Sequence, residues 1–269
     1  MIYIDKTQNK TLDVVSLSGG KDSTALLILM IEKEMPIDLV ITAETGMDFP
    51  EMSEHLAKVD DYLYRERGLH ITKLRSPYSF EYLMFEQPKV RPRCIKAREA
   101  LGLPLYGNGW PGIKVRWCAG LLKILLIDKE LKRLGAGRII RQYIGIAADE
   151  SRRCKGEANK YYPLVDWGVT EEQALKICYD RGFDFGGLYR IYHRASCWCC
   201  PFQRIDELRQ LRLHHPRLWT KLLEMDKRAI EEFGTSPLGR FKQNWSVAEL
   251  DERFAAEERG EKYTRRKCH

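Results

Sequence analysis

The sequence predicts an α/β fold built on a parallel β-sheet, and two observations lead to this prediction. Short apolar runs typical of buried strands alternate with longer runs typical of helices. A glycine-rich turn joins the first such strand to the first such helix. Alternation of this kind produces right-handed βαβ units, whose strands lie parallel in one sheet. The predicted strands are residues 12–15, 37–42, 69–74 and 139–146, and the predicted helices are 25–34, 51–67, 121–134, 206–213 and 216–233.

Length and composition bound the class of protein. The 269 residues can bury a full core, and we expect an α/β domain at 1–202 followed by a small helical cap with a basic tail at 203–269. No run approaches the ~18 apolar residues that a membrane span needs, and the N-terminus lacks a signal-peptide core. We therefore expect a cytoplasmic protein without a membrane partner. Its eight cysteines are then thiols or metal ligands rather than disulfides.

The net charge of +7 suits a polyanionic nucleotide or a nucleic acid, although solvated helix faces explain it almost as well.

The turn after the first strand, residues 17–24, is predicted to bind phosphate. Glycines let the backbone pass close to an anion, and free N–H groups at a helix start point towards it. Hydroxyl donors and one lysine complete the site; the binding residues are Ser18, Gly19, Gly20, Lys21, Asp22, Ser23 and Thr24. The turn is not a Walker A loop, because Val15 stands at its first glycine position and Asp22 follows the lysine.

Residues 18–23, Ser-Gly-Gly-Lys-Asp-Ser, resemble the pyrophosphate loop of the PP-loop ATP pyrophosphatases. That superfamily includes phosphoadenosine phosphosulfate (PAPS) reductases, tRNA thiolation enzymes and DNA phosphorothioation proteins. The resemblance implies a Rossmann-like, adenine nucleotide alpha hydrolase-like fold, bound ATP or PAPS, and catalytic roles for Lys21 and Asp22.

Two more loops should line the site, because ligands bind beyond the carboxyl ends of parallel strands. The loop after the second strand begins at Glu44, where the family usually has Asp, and its carboxylate can accept from a ribose or adenine or help hold Mg²⁺. A capped helix start explains the same residues. The loop after the fourth strand resembles a family segment and offers Asp149 and Arg152, but has Ala147 in place of the family's arginine. A solvated loop remains the alternative there.

Residues 76–116 lack a regular pattern. Arg91, Arg93 and Lys96 either clamp a second anion or lie on a mobile surface loop. Further on, 162–167 reads as a short strand, and Thr170 and Gln173 have the spacing of a capping box.

Three cysteines within four positions suggest a metal centre, with Cys118 as the distant ligand because its basic helix start favours a thiolate. Family members with an iron–sulfur cluster support this reading. The predicted ligands are Cys118, Cys197, Cys199 and Cys200, and Cys94 is the alternative to Cys199 as the fourth ligand. Zinc, with His193 as a spare ligand, is the competing metal; a redox dithiol or no metal are further alternatives.

The chain ends in a basic segment with Cys268-His269, which resembles the nucleophilic tail of PAPS reductases, so Cys268 is a candidate catalytic nucleophile. The first hypothesis is a PAPS reductase-like enzyme with a 4Fe–4S cluster and a thiol reductant such as thioredoxin. The second is ATP-dependent sulfur transfer to a nucleic acid or a small molecule. A nucleotide-binding redox sensor without turnover is the third, and the sequence leaves the oligomeric state open.

Overall fold

Five parallel strands form the central sheet of the computed structural model, which describes residues 11–113, 115–195, 197–234 and 236–263. The strands are β1 (Thr11–Ser16), β2 (Leu39–Glu44), β3 (Ile71–Arg75), β4 (Ile139–Ile144) and β5 (Lys160–Tyr161). Their order in the sheet is β3-β2-β1-β4-β5. The chain moves outward from β1 to β3 and then returns to the other side of β1, so the carboxyl ends of β1 and β4 flank a switch point. The prediction of an α/β fold with a parallel sheet is confirmed.

Helices cover both faces of this sheet. They are α1 (Lys21–Glu32), α2 (Pro50–Arg67), α3 (Phe80–Phe85), α4 (Pro92–Glu99), α5 (Trp117–Ala119), α6 (Leu125–Leu134), α7 (Pro163–Asp166), α8 (Glu171–Asp180), α9 (Leu188–Ile191), α10 (Ile205–His214), α11 (Pro216–Phe233) and α12 (Val247–Glu258). A π-helical turn, Gly120–Ile124, joins α5 to α6.

The central strand is buried on both faces, which explains its continuous apolar sequence. Val15 packs into the large core beneath α1 and α2, and Val14 packs with Leu131 of α6 on the opposite face. Both valines are fully buried. Burial on two faces is the condition under which parallel strands lose the alternating pattern.

Several elements differ from the sequence-based expectation. The segment 76–116 contains α3 and α4, which are too short to give a clear period. The strand predicted at 162–167 is wrong: the short strand β5 ends at Tyr161, and α7 follows because Pro163 occupies the first helical position, where proline is favoured. The capping box at Thr170 is confirmed, since its side chain accepts from the Gln173 N–H.

No helix in the described ranges combines the length and apolarity required to cross a membrane.

Candidate functional site

The glycine-rich loop connects β1 to α1 and takes a conformation that only glycine adopts easily. Gly19 has φ of +80°, in the left-handed region. A Cβ there would also lie 3.0 Å from the Met52 side chain of α2. Gly20 is the N-cap of α1, with no side-chain cap. The sequence therefore makes the turn tight and leaves the start of the helix open.

Hydroxyl groups inside the loop hold its shape. The Ser18 N–H donates to Ser23 Oγ at 3.1 Å, and the two serine hydroxyls are 3.0 Å apart. Thr24 is buried, with its hydroxyl 3.2 Å from Nε2 of His55 in α2. Among these three side chains, Ser18 is the exposed one and faces a cavity. Ser23 and Thr24 therefore shape the loop, and Ser18 is the hydroxyl placed for a ligand.

The Tyr189 hydroxyl of α9 pairs with one of the free backbone N–H groups at the start of α1. Its hydroxyl accepts from the Lys21 N–H at 2.8 Å, and the Lys21 ammonium lies 5.7 Å from the centre of the same ring. Burial raises the pKa of Tyr189 above its ordinary value. The phenol therefore stays protonated at neutral pH and retains an O–H for donation to a second acceptor.

The Lys21 side chain is buried and turned towards carboxylates. Its Nζ lies 3.3 Å from Glu171 and 3.6 Å from Asp22. Carboxylate oxygens of Asp22, Glu150 and Glu171 all lie within 4.8 Å of one another, close enough to share a divalent cation. Burial raises the pKa of Asp22, and Lys21 acts in the opposite direction. Sequence spacing gave no reason to group these carboxylates, because they meet only when β4 lies beside β1.

A cavity of about 420 Å³, here called the first cavity, opens at the carboxyl ends of β1, β2 and β3. Its wall includes Ser18, the loop 44–48, and Lys123. Glu44 lines this cavity, but it is paired with Arg75 and lies 3.9 Å from Lys73 Nζ, and its role as a nucleotide ligand remains a prediction. Its carboxylate is therefore already compensated by the cations of β3.

Part of the chain matches a known family. Residues 13–87, which contain the loop and the β2 segment, match the family described as the phosphoadenosine phosphosulfate reductase domain. The segment that carries the loop is thus similar to this family. The family resemblance predicted from the loop sequence is thus confirmed.

Two curated relatives are similar to this chain over most of its length. An uncharacterised protein of Methanocaldococcus jannaschii is 25% identical, over 77% of this chain and 40% of that protein. An uncharacterised 37.8 kDa protein of Escherichia phage 186 is 23% identical, over 81% of this chain and 75% of that protein. The chain thus spans less than half the length of the archaeal relative.

Among solved structures, a U34-tRNA thiolase from Methanococcus maripaludis with its 4Fe–4S cluster matches with a TM-score of 0.40 and 14% identity. The match covers 84% of this chain and 74% of that one.

The loop after β4 was expected to supply nucleotide ligands, but its residues make other contacts. Asp149 accepts from the Glu171 N–H at 3.1 Å and so caps the start of α8. Arg152 is exposed, and Arg153 is paired with Glu150. Neither Asp149 nor Arg152 lines the first cavity. Their role as nucleotide ligands remains a prediction.

The cysteine segment meets the first cavity through the loop after β2. Cys197 Sγ lies 3.5 Å from Thr45 Oγ1 and 3.7 Å from Asp48 Oδ1. The Trp198 N–H donates to the Met47 carbonyl at 3.0 Å, within an isolated antiparallel bridge. These contacts place one sulfur at the cavity wall.

The four predicted ligand cysteines lie near one another. Burial, and then the neighbouring thiols of Cys197, Cys200 and Cys118, raise the pKa of Cys199 well above its ordinary value. Burial also raises the pKa of Cys118, with Cys200 adding to it. The thiolate expected at Cys118 from its basic helix start is therefore wrong for the metal-free protein, because burial outweighs the nearby cations.

The spacing of these sulfurs bears on which metal group they could hold. Zinc at about 2.3 Å from each sulfur would bring its ligands to within about 3.8 Å of one another. Among the described residues, no three of these sulfurs lie within 4.8 Å of each other. A cluster holds its cysteines further apart, because several irons and bridging sulfides lie between them.

The two spare ligand candidates, His193 and Cys94, are both exposed. His193 Nε2 is 3.3 Å from the Arg204 guanidinium, and Cys94 is exposed on α4. Cys268 lies outside the described residues. Lys123 was not among the predicted site residues; burial alone would lower its pKa, but Cys197, Asp48 and the other cysteines raise it overall. In the sequence it was only a partial match, with Arg116 and Cys118, to the segment of the family members that carry a cluster.

Proposed function

We propose that this chain is an adenine nucleotide-dependent enzyme of sulfur chemistry, with a 4Fe–4S cluster held by Cys118, Cys197, Cys199 and Cys200. The observation that carries the proposal is the contact of Cys197 with Thr45 and Asp48. Through it the cysteine cluster joins the wall of the cavity that begins at Ser18. A nucleotide held by the loop would thus have its reactive phosphate side close to sulfur.

The residues of the chain have separable roles in this proposal. Ser18 and the open N–H groups at the start of α1 bind the phosphates, favoured by the helix dipole. Tyr189 donates its remaining O–H to a phosphate oxygen, because its oxygen already accepts from Lys21. Lys21 and Asp22 set the charge beside the phosphates. The cluster, when bound, supplies redox and Lewis-acid chemistry at sulfur.

The Lys123 ammonium is placed to stabilise negative charge that develops between nucleotide and cysteines. It lines the first cavity, and its charge interacts electrostatically with Cys197 and Asp48. A fixed cation at that position lowers the energy of an anionic transition state in a site with little water.

Two reactions are compatible with this arrangement. In the first, a thiolate such as that of Cys268 attacks the sulfonate sulfur of PAPS, displaces the adenosine bisphosphate, and a thiol reductant then releases sulfite. In the second, an acceptor oxygen attacks the α-phosphate of ATP and expels pyrophosphate, after which a sulfide-level sulfur displaces AMP together with that oxygen.

The loop after β4 favours the ATP reaction. Buried Ala147 stands where the family's arginine would meet a sulfate, and Arg153 is paired with Glu150. Asp149 is used to cap α8. This loop therefore lacks an arginine at the family's position for the sulfate end of PAPS.

The test is anaerobic purification followed by iron analysis, visible absorption and titration with ATP and with PAPS. We expect about four irons per chain, tighter binding of ATP, and loss of the visible band in Cys118→Ser and Cys200→Ser. Cys94→Ser is the matched control, since it removes an exposed cysteine outside the cluster, and should keep the band. Tight ATP binding without product in the presence of RNA, DNA or small acceptors would instead indicate the non-catalytic sensor.

A further inference from the structure

A second cavity, of about 950 Å³, lies on the other side of the cysteine cluster. The chain passes from one cavity to the other at each cysteine segment. Trp117 lines the second cavity, Cys118 follows it, and Lys123 lines the first. Likewise Cys197 contacts the wall of the first cavity, whereas Pro201, next to Cys200, lines the second. The cluster therefore forms part of the partition between the two cavities.

The second cavity carries positive charge without matching negative charge. Among the residues that the structure describes, its lining includes four cations and no Asp or Glu; the cations are Lys89, Arg98, Arg240 and Lys242. Within the ranges that the structure describes, none of the four forms an ion pair. They are held instead by neutral oxygens: Lys242 Nζ by the Pro201 and Gln203 carbonyls, and Lys89 Nζ by Asn108 Oδ1.

Partial burial makes this positive charge costly. Burial, and then Arg98, lower the pKa of Lys89 to about 8, and burial lowers the pKa of Lys242. Cations that lose water without gaining a carboxylate are destabilised. A ligand with several negative charges would remove this cost.

The remaining wall is aromatic and apolar. Phe202 is 41% exposed, and Ile113 and Val115 are 83% and 63% exposed. The Arg116 guanidinium lies 5.1 Å from the Phe202 ring centre. Half-buried Trp245 also lines the cavity, and the buried side chains of Trp110, Trp117 and Phe241 lie in its wall. An exposed aromatic face beside cations, here that of Phe202, is the combination that binds unpaired bases and their phosphates.

We propose that the second cavity binds a single-stranded segment of nucleic acid, with its phosphates at the unpaired cations and its bases against the aromatic wall. A concave cavity admits splayed bases, whereas a duplex presents only its backbone. An acidic peptide would satisfy the cations but would leave the aromatic wall uncovered. That this strand is the sulfur acceptor rests on the proposed function; its binding does not.

The test measures fluorescence anisotropy of short labelled single-stranded RNA and DNA on the full chain at several salt concentrations. Arg240→Glu reverses an exposed lining cation, and we expect about tenfold weaker binding or more, with a salt slope smaller by about 0.7 or more. Phe202→Ala should weaken binding roughly 5-fold to 150-fold, whereas Phe202→Tyr, which keeps an aromatic ring, should bind like the unmodified chain. Lys129→Glu, an exposed reversal on α6 that lines neither cavity, is the matched control and should change affinity less than about twofold.

The outcomes separate this inference from the proposed function. Equal binding by Arg240→Glu, Phe202→Ala and Lys129→Glu would overturn it, as would equally tight binding of a duplex or of polyglutamate. ATP binding is titrated on the same samples. Strand binding without ATP binding would refute the proposed function and leave this inference standing, and ATP binding without strand binding would do the reverse.

Discussion

Gly145, just after β4, is where the chain passes closest to the start of α1. A Cβ at this position would lie 2.7 Å from the Asp22 carbonyl group and from the Cα of Ser23. Because these are backbone atoms, α1 and the loop would have to shift. We expect Gly145→Ala to lower the free energy of unfolding by roughly 1–3 kcal/mol and to weaken ATP binding.

The measurement is urea unfolding together with an ATP titration. Gly112→Ala is the matched control, since a Cβ there meets nothing within 4 Å. If the two alanine variants were equally stable and bound ATP alike, the close approach at Gly145 would be refuted.

His55 supports the loop from behind and should make stability depend on pH. It is buried in α2, and its ring centre lies 4.2 Å from that of Phe185. Burial, followed by Lys58, lowers its pKa to about 4, while Asp184 acts in the opposite direction. The folded protein therefore keeps this imidazole neutral where an unfolded chain would protonate it.

The sign of the effect follows from proton binding. Between the ordinary histidine pKa and about 4, the unfolded chain binds one more proton at this residue, so its contribution to stability is complete above pH 6.5 and falls as the pH falls. At pH 5 the loss is about 2 kcal/mol. We expect the difference in unfolding free energy between pH 7 and pH 5 to shrink by about that amount in His55→Gln.

His214→Gln, which removes an exposed histidine from α10, is the control and should leave that difference unchanged. An unchanged pH dependence in His55→Gln would mean that His55 is not neutral in the folded protein.

Residue types and spacing were sufficient to single out the loop and the four cysteines as candidates, because tight turns and metal ligands need particular residues in short runs. They were insufficient for side chains that act from another element. Tyr189 sits in an ordinary helical pattern, and only the fold brings it to the loop. Glu44 lies at the cavity, but its pairing with Arg75 depends on the neighbouring strand, and its role as a nucleotide ligand remains a prediction.

At the scale of elements, Asp226 of α11 joins Trp110 of the first region to two parts of the C-terminal region. Its carboxylate accepts from the Val247 N–H at 2.6 Å, from the Phe241 N–H at 3.2 Å and from the Trp110 indole at 3.1 Å. Burial raises its pKa to about 6, although these three donors favour the charged form. It is therefore ionised at neutral pH and satisfies three buried donors.

We expect Asp226→Ala to lower the free energy of unfolding by about 3 kcal/mol or more, because it leaves those donors without acceptors. Glu252→Ala removes an exposed carboxylate from α12 nearby and should change stability by less than about 0.5 kcal/mol. Chemical denaturation at pH 7 makes the comparison, and similar stability of the two variants would contradict the role of Asp226.

Helix boundaries were predicted accurately where the local sequence signal was strong. The long amphipathic period of α11 predicted its range of 216–233, which the structure matches. Helix α12 was missed, although Ser246 and Glu249 form a capping box that marks its start. The π-helical turn at Gly120–Ile124 lies inside one apolar run, where periodicity alone predicts a single continuous helix.

At the scale of the whole molecule, the parallel sheet was predictable, because buried strands and helices alternate clearly along the first half of the chain. The two cavities and their shared partition were not, since they depend on contacts between residues far apart in sequence. The boundary at residue 202 also remains a prediction. Contacts across it are extensive: the Trp110 N–H donates to the Leu238 carbonyl at 2.7 Å, and His215 lies 3.0 Å from Glu51.

These contacts predict that the regions before and after residue 202 unfold together. Trp110 and Phe85 pack in the same core as Phe233 and Phe241, so removing the C-terminal helices would expose large apolar surfaces of the first region. In urea, tryptophan fluorescence and far-ultraviolet circular dichroism should therefore give coincident single transitions. Asp226→Ala should shift both midpoints equally, since its carboxylate binds both Trp110 and α12. An early transition confined to 203–269, detected by limited proteolysis before the sheet unfolds, would show instead that the helical region is an independent cap.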